Sequence, residues 1–148
     1  VATHADCTPV YLLDPVHHAI GLCHAGWRST VGGMVTNLID AMTAMYQTRP
    51  QDLLAAIGPH IGSCCFEVDP PVGKAFADKA GCVLPGQKPG KQQLDLTRAS
   101  AYQMYRAGLL GENLTISDEC TCCNGDLFFS YRRDGKACGA MASFLQLR

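Results

Sequence analysis

The feature that most constrains the fold is a pair of short apolar runs near the start of the chain, residues 10–13 and 19–23. Residues 14–18 separate them and begin with Asp-Pro, a common turn opener, so the pattern predicts a β-hairpin. Cys7 precedes the first predicted strand and His24 follows the second. Because antiparallel pairing brings these two positions to the same end of the sheet, we expect a thiol and an imidazole to meet there.

Cysteine and histidine are well suited both to bind a transition metal and to form a pair of nucleophile and base. Cys7 and His24 are therefore candidate catalytic residues under two interpretations. In the first they are metal ligands, and a zinc ion with an open position ionises a water or polarises a phosphate oxygen. In the second, His24 activates the Cys7 thiol without a metal.

Length and charge indicate a single domain, residues 1–148, that acts on a small molecule. The 12 Lys and Arg residues nearly balance the 13 Asp and Glu residues, so no basic field attracts nucleic acid or an anionic membrane. No apolar run reaches the roughly 18 residues of a transmembrane helix, and the first residues lack a signal-like pattern. We expect a cytoplasmic location, with most of the nine cysteines reduced and buried.

The period of the apolar residues changes to a helical one after the hairpin. It predicts a helix over residues 31–46, with Ser29 or Thr30 as its N-cap. A buried strand over residues 53–57 follows and ends at Gly58. The remaining predictions are helices over residues 72–80 and 96–107, an exposed loop over residues 81–93, and strands over residues 114–116, 127–132 and 141–147. The fold class expected from these elements is α+β, with mixed β-sheets in a layered core flanked by helices.

Arg28, at the start of the predicted helix, is a candidate substrate-binding residue. Together with the hydroxyls of Ser29 and Thr30 and the free backbone N–H groups, it offers a site for phosphate or for a ribose edge. An ordinary capped helix packed on the sheet explains the same residues. Trp27 either stacks on a planar substrate ring or packs in the core.

Four further cysteines raise the question of a structural zinc site. Cys120 and Cys123 have Cys-x-x-Cys spacing, and Cys64 and Cys65 are adjacent. Adjacent residues of an extended segment point to opposite faces, and a second Cys-x-x-Cys pair is missing, so the sequence favours separate thiols. In the predicted strand over residues 127–132, the alternation of side chains does not decide whether Arg132 or Arg133 faces a pocket.

Five motifs in fixed order make the chain recognisable. They are Ala5-Asp6-Cys7-Thr8-Pro9-Val10, His24-Ala25-Gly26-Trp27-Arg28, Ile57-Gly58-Pro59-His60-Ile61-Gly62, Phe66-Glu67-Val68 and Phe128-Phe129-Ser130-Tyr131-Arg132-Arg133-Asp134. With them the chain resembles the YfiH and YlmD family, also called the laccase-domain or polyphenol oxidase family. The resemblance extends from about residue 3 to the C-terminus.

The resemblance implies a metal site as well as a fold. In the family, the cysteine of the first motif and the histidine of the second are metal ligands, which here are Cys7 and His24, and a third histidine comes from an upstream segment. The chain lacks that segment, so it resembles an N-terminally truncated catalytic domain. His4 offers an imidazole, but in an extended segment it faces away from Cys7. Asp6 is better explained as a structural acceptor than as a ligand.

The resemblance leaves three hypotheses for function. The first is a zinc-dependent purine nucleoside enzyme, a phosphorylase or adenosine deaminase, with Arg28 near phosphate or ribose. The second is a copper-dependent polyphenol oxidase (laccase-like), because thiolate and imidazole also suit copper; multi-copper chemistry needs many histidines, however, and the chain has five. The third is a truncated binding module without activity.

Overall fold

The computed structural model describes residues 1–77 and 81–148. The strands of this part are β1 (Ala2–His4), β2 (Thr8–Asp14), β3 (Ala19–Ala25), β4 (Leu54–Ile57), β5 (Glu67–Val68), β6 (Val83–Pro85), β7 (Gln92–Leu94), β8 (Leu114–Ile116) and β9 (Met141–Ser143). Its α-helices are α1 (Trp27–Val31), α2 (Met34–Tyr46), α3 (Pro70–Lys74), α4 (Leu96–Ala107) and α5 (Tyr131–Asp134).

A four-stranded sheet in the order β3-β2-β4-β8 forms the centre of the fold. Strands β2 and β3 pair in antiparallel register, with Pro9 opposite His24, so the predicted hairpin is confirmed. Strand β4 is antiparallel to β2 and parallel to β8, which makes the sheet mixed. Val10 and Leu12 of β2 are fully buried, as expected for a strand between two neighbours.

Helix α2 covers one face of this sheet with Val35, Ile39 and Met42, an apolar stripe at helical spacing. Gly21 of β3 permits this close packing, because a Cβ there would lie 2.7 Å from Met42 Sδ. Helix α4 packs beside α2, and the buried side chain of Gln103, in α4, joins the two helices. Its Oε1 accepts from the Val35 N–H at 3.1 Å.

The helix predicted over residues 31–46 is α2, but it begins three residues later, at Met34, because the residues before it form the separate helix α1. Gly33 has a φ of 80°, a left-handed conformation that favours glycine and separates α1 from α2. Ser29 and Thr30 cap neither helix. Both hydroxyls instead donate to the Gly26 carbonyl, at 3.0 and 2.8 Å.

A second, three-stranded sheet in the order β5-β7-β6 replaces the loop predicted over residues 81–93. The prediction was wrong because these strands are only two or three residues long, and they are paired by long-range contacts such as Glu67 with Gln93. The helix predicted over residues 72–80 is the shorter α3, and residues 78–80 lie outside the described part. Phe76, Leu94 and Leu96 are at the centre of a second apolar cluster beneath this sheet.

The C-terminal region departs from prediction once more. The strand predicted over residues 127–132 is wrong: this segment is irregular and leads into α5, whose N-cap Ser130 accepts from the Arg133 N–H. The closing strand ends at Ser143 and pairs with β1, which brings the two ends of the chain together.

Mixed sheets with packed helices confirm the α+β class. Within the described residues, no helix has both the length and the apolar composition that a bilayer span requires.

Candidate functional site

Cys7 and His24 converge beside Gly26, at the end of the hairpin. A Cβ on Gly26 would lie 3.0 Å from Cys7 Sγ and 3.7 Å from His24 Nε2, so both atoms border the same small space. Glycine leaves this space open. Burial, and next the nearby Asp6 carboxylate, raise the pKa of the Cys7 thiol. A cation in this space would offset both effects and favour the thiolate.

The His24 ring is oriented by a hydrogen bond to the backbone. Its Nδ1 lies 3.1 Å from the Thr3 carbonyl oxygen, which can only accept, so Nδ1 carries the proton. In the neutral ring, Nε2 then has the free lone pair, and it is the atom beside Cys7 Sγ and Gly26. A histidine that donates one ring N–H to a carbonyl and presents the other nitrogen has the arrangement usual for a metal ligand. The donor set fits the metal site that the resemblance implies.

His4 lies nearer to this site than the extended-segment argument predicted. That argument fails because the chain turns between β1 and β2, where Asp6 has a φ of 80°. The His4 ring is buried and meets the His24 ring edge-on, with centroids 6.5 Å apart. Its Nε2 bonds Ser143 Oγ at 2.8 Å, while its Nδ1 is buried without a hydrogen-bond partner among the described residues. Burial, and next His24, lower the pKa of His4, which favours the neutral ring.

The Asp6 carboxylate is a structural acceptor, as the sequence indicated. Its Oδ1 accepts from Thr121 Oγ1 at 2.7 Å, and its Oδ2 accepts from the Arg132 backbone N–H at 2.6 Å. Both oxygens are thus used to hold distant segments against the residue before Cys7. This arrangement fixes the backbone from which the candidate ligand projects.

A cavity of about 380 Å³ opens beside Cys7. Its volume lies within the range usual for small-molecule sites. Trp27, Phe66 and Leu96 supply apolar walls, and Arg28 and Arg132 supply two cations at its edge. An apolar cleft with a few charged groups suits a planar ligand that carries polar substituents.

Arg28 is exposed, and its guanidinium lies over the Trp27 ring, 4.3 Å from the centroid. The guanidinium makes no hydrogen bond within the part of the chain that the structure describes. The hydroxyls of Ser29 and Thr30, in contrast, already donate to the Gly26 carbonyl, and α1 has only five residues. The anion site expected from the helix start therefore reduces to the Arg28 side chain.

Arg132, rather than Arg133, is the arginine of this segment that lines the cavity. One of its terminal nitrogens donates to the carbonyls of Cys65 and Glu67, each at 2.9 Å, and its guanidinium lies 5.2 Å from the centroid of the Phe66 ring. Arg133 instead donates to the carbonyls of Thr121, Cys122 and Phe128. Alternation along a strand could not distinguish them, because the segment is a helix.

The structure also brings together the four cysteines that the sequence argument kept apart. The sulfurs of Cys64, Cys65, Cys120 and Cys123 all lie within 4.8 Å of one another. The argument from opposite faces fails because Cys64 and Cys65 lie in a turn, not in an extended segment. The Cys-x-x-Cys spacing of Cys120 and Cys123 was the signal for this cluster in the sequence, and the other two thiols come from the adjacent Cys64 and Cys65.

Comparison with known proteins supports the resemblance. Residues 1–148 match the family described as multi-copper polyphenol oxidoreductase laccase. The purine nucleoside phosphorylase YlmD of Geobacillus stearothermophilus is 37% identical over 152 aligned residues, which cover 97% of this chain and 54% of the relative.

Solved structures give the same result. The crystal structure of YlmD from Geobacillus stearothermophilus has a TM-score of 0.88 at 35% identity, covering 93% of this chain and 53% of that one. The Bacillus licheniformis hypothetical protein YfiH has a TM-score of 0.85 at 36% identity, covering 90% of this chain and 52% of that one. The chain thus spans about half the length of the relatives it matches.

Proposed function

Because this chain belongs to the multi-copper polyphenol oxidoreductase laccase family, we propose that it is a metal-dependent purine nucleoside enzyme with a Cys/His metal site. Its substrate class follows from relatives that are named purine nucleoside phosphorylases. The reaction we propose is phosphorolysis, adenosine deamination, or both. The proposed location is the cytoplasm.

The convergence of Cys7 Sγ and His24 Nε2 beside Gly26 carries this proposal. One thiolate and one imidazole form part of the donor set of a catalytic zinc site. The third donor is either a histidine of a longer protein or His4, whose Nδ1 is buried without a partner among the described residues. Bound zinc would supply Lewis-acid polarisation of an oxygen atom of phosphate or water.

The residues of the chain would perform the remaining tasks. Trp27 and Phe66 line the cavity and provide faces for a purine ring. The guanidinium of Arg28 would pair with phosphate oxygens, a task that suits its fork of donors. Arg132, held by two carbonyls, keeps a positive charge fixed at the cavity edge. Asp6 would hold the backbone of Cys7 in place.

Copper-dependent oxidation of phenols is the second candidate, favoured by the family description. Thiolate and imidazole bind copper as well as zinc. A multi-copper site, however, needs many free imidazoles. The two nitrogens of His60 are 2.9 and 2.8 Å from Gly58 O and Thr97 Oγ1, and His17 Nδ1 is 2.8 Å from an Asp14 oxygen in the hairpin turn. The third candidate is a binding module that lacks activity.

The test is to measure metal content and turnover on the 148-residue chain. Adenosine, inosine with phosphate, and a phenolic dye are supplied separately. Phosphate-dependent release of a free base, or formation of inosine from adenosine, supports the nucleoside enzyme. Oxidation of the dye alone, with bound copper, supports the oxidase, and bound nucleoside without turnover supports the binding module.

Variants tie the activity to the site. Cys7→Ala and His24→Ala should each abolish nucleoside turnover, whereas Cys138→Ser, which changes a thiol that makes none of the site contacts above, should leave turnover unchanged. Full activity in the Cys7→Ala variant would contradict the proposal. Chelation of the parent protein separates metal from dyad chemistry: a metal site loses activity with a chelator, and a dyad does not.

A further inference from the structure

A cluster of four thiols lies outside the proposed catalytic site. Cys64 and Cys65 come from the turn that follows β4, and Cys120 and Cys123 come from the turn that follows β8. Strands β4 and β8 are parallel neighbours, so their carboxyl ends deliver both turns to the same edge of the sheet. A parallel bridge between His60 and Cys120 continues this pairing into the turns.

The spacing of the sulfurs is that of a tetrahedral thiolate site. With Zn–S bonds of about 2.3 Å, the sulfurs of such a site lie about 3.8 Å apart. Here Cys123 Sγ is 3.7 Å from Cys64 Sγ and 3.4 Å from Cys65 Sγ, and no pair exceeds 4.8 Å. Four ligands of one ion must converge in this way, whereas thiols without a shared ion need not.

The surrounding backbone supports a negatively charged cluster. The Gly62 N–H donates to Cys120 Sγ at 3.2 Å, a bond that stabilises a thiolate. Gly62 also leaves room for the sulfurs, since a Cβ there would lie 3.1 Å from Cys64 Sγ. Arg132 and Arg133 bind the carbonyls of Cys65 and Cys122, so two cations flank the cluster.

In the absence of a cation, the pKa values of three of these thiols are shifted in opposite directions. Burial, and next the neighbouring thiols, raise the pKa of Cys64 to about 11 and raise that of Cys65 as well. Burial acts in the same direction on Cys120, but the Gly62 N–H and Cys123 outweigh it and lower its pKa.

We propose that Cys64, Cys65, Cys120 and Cys123 hold a structural zinc ion, separate from the metal at Cys7 and His24. Binding forms four Zn–S bonds and releases to the solvent the protons that the thiols carried, with no change of oxidation state. Four protein thiolates leave no open position, so this ion is structural rather than catalytic. It cross-links two turns that are far apart in the sequence.

The zinc site would also support the cavity described above. Thr121 lies between two of the ligands and donates to Asp6, the residue before Cys7. Arg132, at the cavity edge, is held by the Cys65 carbonyl. Fixing both turns therefore fixes two contacts of the candidate catalytic site.

Elemental analysis tests the proposal in a chain that lacks the other metal ligands. The 148-residue Cys7→Ala/His24→Ala variant, purified from zinc-supplemented medium, should contain one zinc per chain. X-ray absorption on this protein should show four sulfur ligands at about 2.3 Å. Because this measurement changes none of the four cysteines, it does not depend on whether a ligand variant folds.

Ligand variants in the same background complete the test. Cys64→Ser and Cys123→Ser should each lower the zinc content at least fivefold, whereas the matched Cys138→Ser control should retain one zinc per chain. A chelator should lower the Tm of the background protein but not that of the Cys64→Ser protein. No bound zinc, fewer than four sulfur ligands, or a mass lower by two hydrogens, which indicates a disulfide, would overturn the proposal. None of these results depends on nucleoside turnover, so the two proposals fail independently.

Discussion

Thr121 Oγ1 donates to Asp6 Oδ1 at 2.7 Å, across 115 positions of the sequence. This bond joins the residue before Cys7 to a residue between Cys120 and Cys123. Both side chains are buried, so the bond is shielded from water. The candidate catalytic site and the cysteine cluster are therefore parts of one connected structure.

The first prediction concerns the Asp6 carboxylate. Asp6→Asn keeps the shape of the side chain and tolerates the left-handed backbone, but it removes the negative charge that strengthens both hydrogen bonds. The amide oxygen can still accept from the Arg132 N–H, and the NH₂ group can only donate to Thr121 Oγ1, which reverses that bond. Loss of the charge from both hydrogen bonds should lower the free energy of unfolding by about 2 kcal/mol, measured by urea denaturation. Asp118→Asn, at an exposed aspartate, should change it by less than about 0.5 kcal/mol. Equal effects of the two substitutions would refute a supporting role for Asp6.

The second prediction concerns the space beside Gly26. Its φ of −73° suits any residue, so Gly26→Ala adds only a methyl group, 3.0 Å from Cys7 Sγ. The methyl group should crowd the sulfur and weaken zinc binding at Cys7 and His24 at least tenfold, measured by competition with a chromogenic chelator. The experiment uses a Cys64→Ser/Cys123→Ser background, so that only this site is titrated.

Gly32→Ala is the matched control for that substitution. Gly32 has a similar φ of −72°, and its added Cβ would meet only backbone oxygens of α1, at 3.5 and 3.6 Å. Zinc affinity should be the same as in the parent protein. If Gly26→Ala also left the affinity unchanged, the metal would not occupy the space between Cys7 and His24.

Local signals explain which parts of the fold the sequence could predict. Helix α4 has the predicted bounds, Leu96–Ala107, because its apolar period is flanked by Asp95, whose side chain accepts from the Arg98 N–H, and by Gly108 with a φ of 105°. The hairpin was predictable for the same reason, since its turn and both strands are continuous in the sequence. Such elements depend on neighbours in the chain.

Long-range contacts explain the remainder. Strands β5, β6 and β7 are two or three residues long, and only their mutual pairing makes them strands. The Cys7 and His24 pair was predictable because one hairpin carries both residues. The cysteine cluster was not predictable, because it depends on how two separate turns meet. It also depends on the turn that brings the Cys64 and Cys65 sulfurs to the same side of the chain.

The third prediction concerns acid stability at the far end of the hairpin. Asp14 is buried, which by itself raises its pKa. The neighbouring Thr48 hydroxyl, and next the N–H and ring of His17 and the N–H of Val16, outweigh burial and hold the pKa of Asp14 well below its usual range. A depressed carboxyl pKa gives stability that is complete above the unfolded value, about 3.9, and lost as pH falls through the folded value.

Asp14→Asn should therefore lower stability at pH 7 and flatten its dependence on pH below about 4. Urea denaturation between pH 2.5 and pH 7 measures both effects. Asp40→Asn, at an exposed aspartate of α2, serves as the control and should leave the pH profile unchanged. An Asp14→Asn protein that keeps the full acid sensitivity of the parent would show that another carboxylate is responsible.

The fourth prediction assigns the anion contact to Arg28. Arg28→Ala removes an exposed guanidinium that lies over Trp27 beside the cavity. The two hydroxyls of the same helix cannot replace it, because they already donate to the Gly26 carbonyl. If phosphate binds there, the KM for phosphate in inosine phosphorolysis should rise at least tenfold while the Tm stays near that of the parent. Arg49→Ala, which removes an exposed arginine paired with Asp52, should leave the KM unchanged. Unaltered phosphate dependence in the Arg28→Ala enzyme would contradict this assignment and leave Arg132 as the cation that lines the cavity. The same measurement on Arg132→Lys would then test that residue, because lysine keeps the charge but loses the paired bonds to the carbonyls of Cys65 and Glu67.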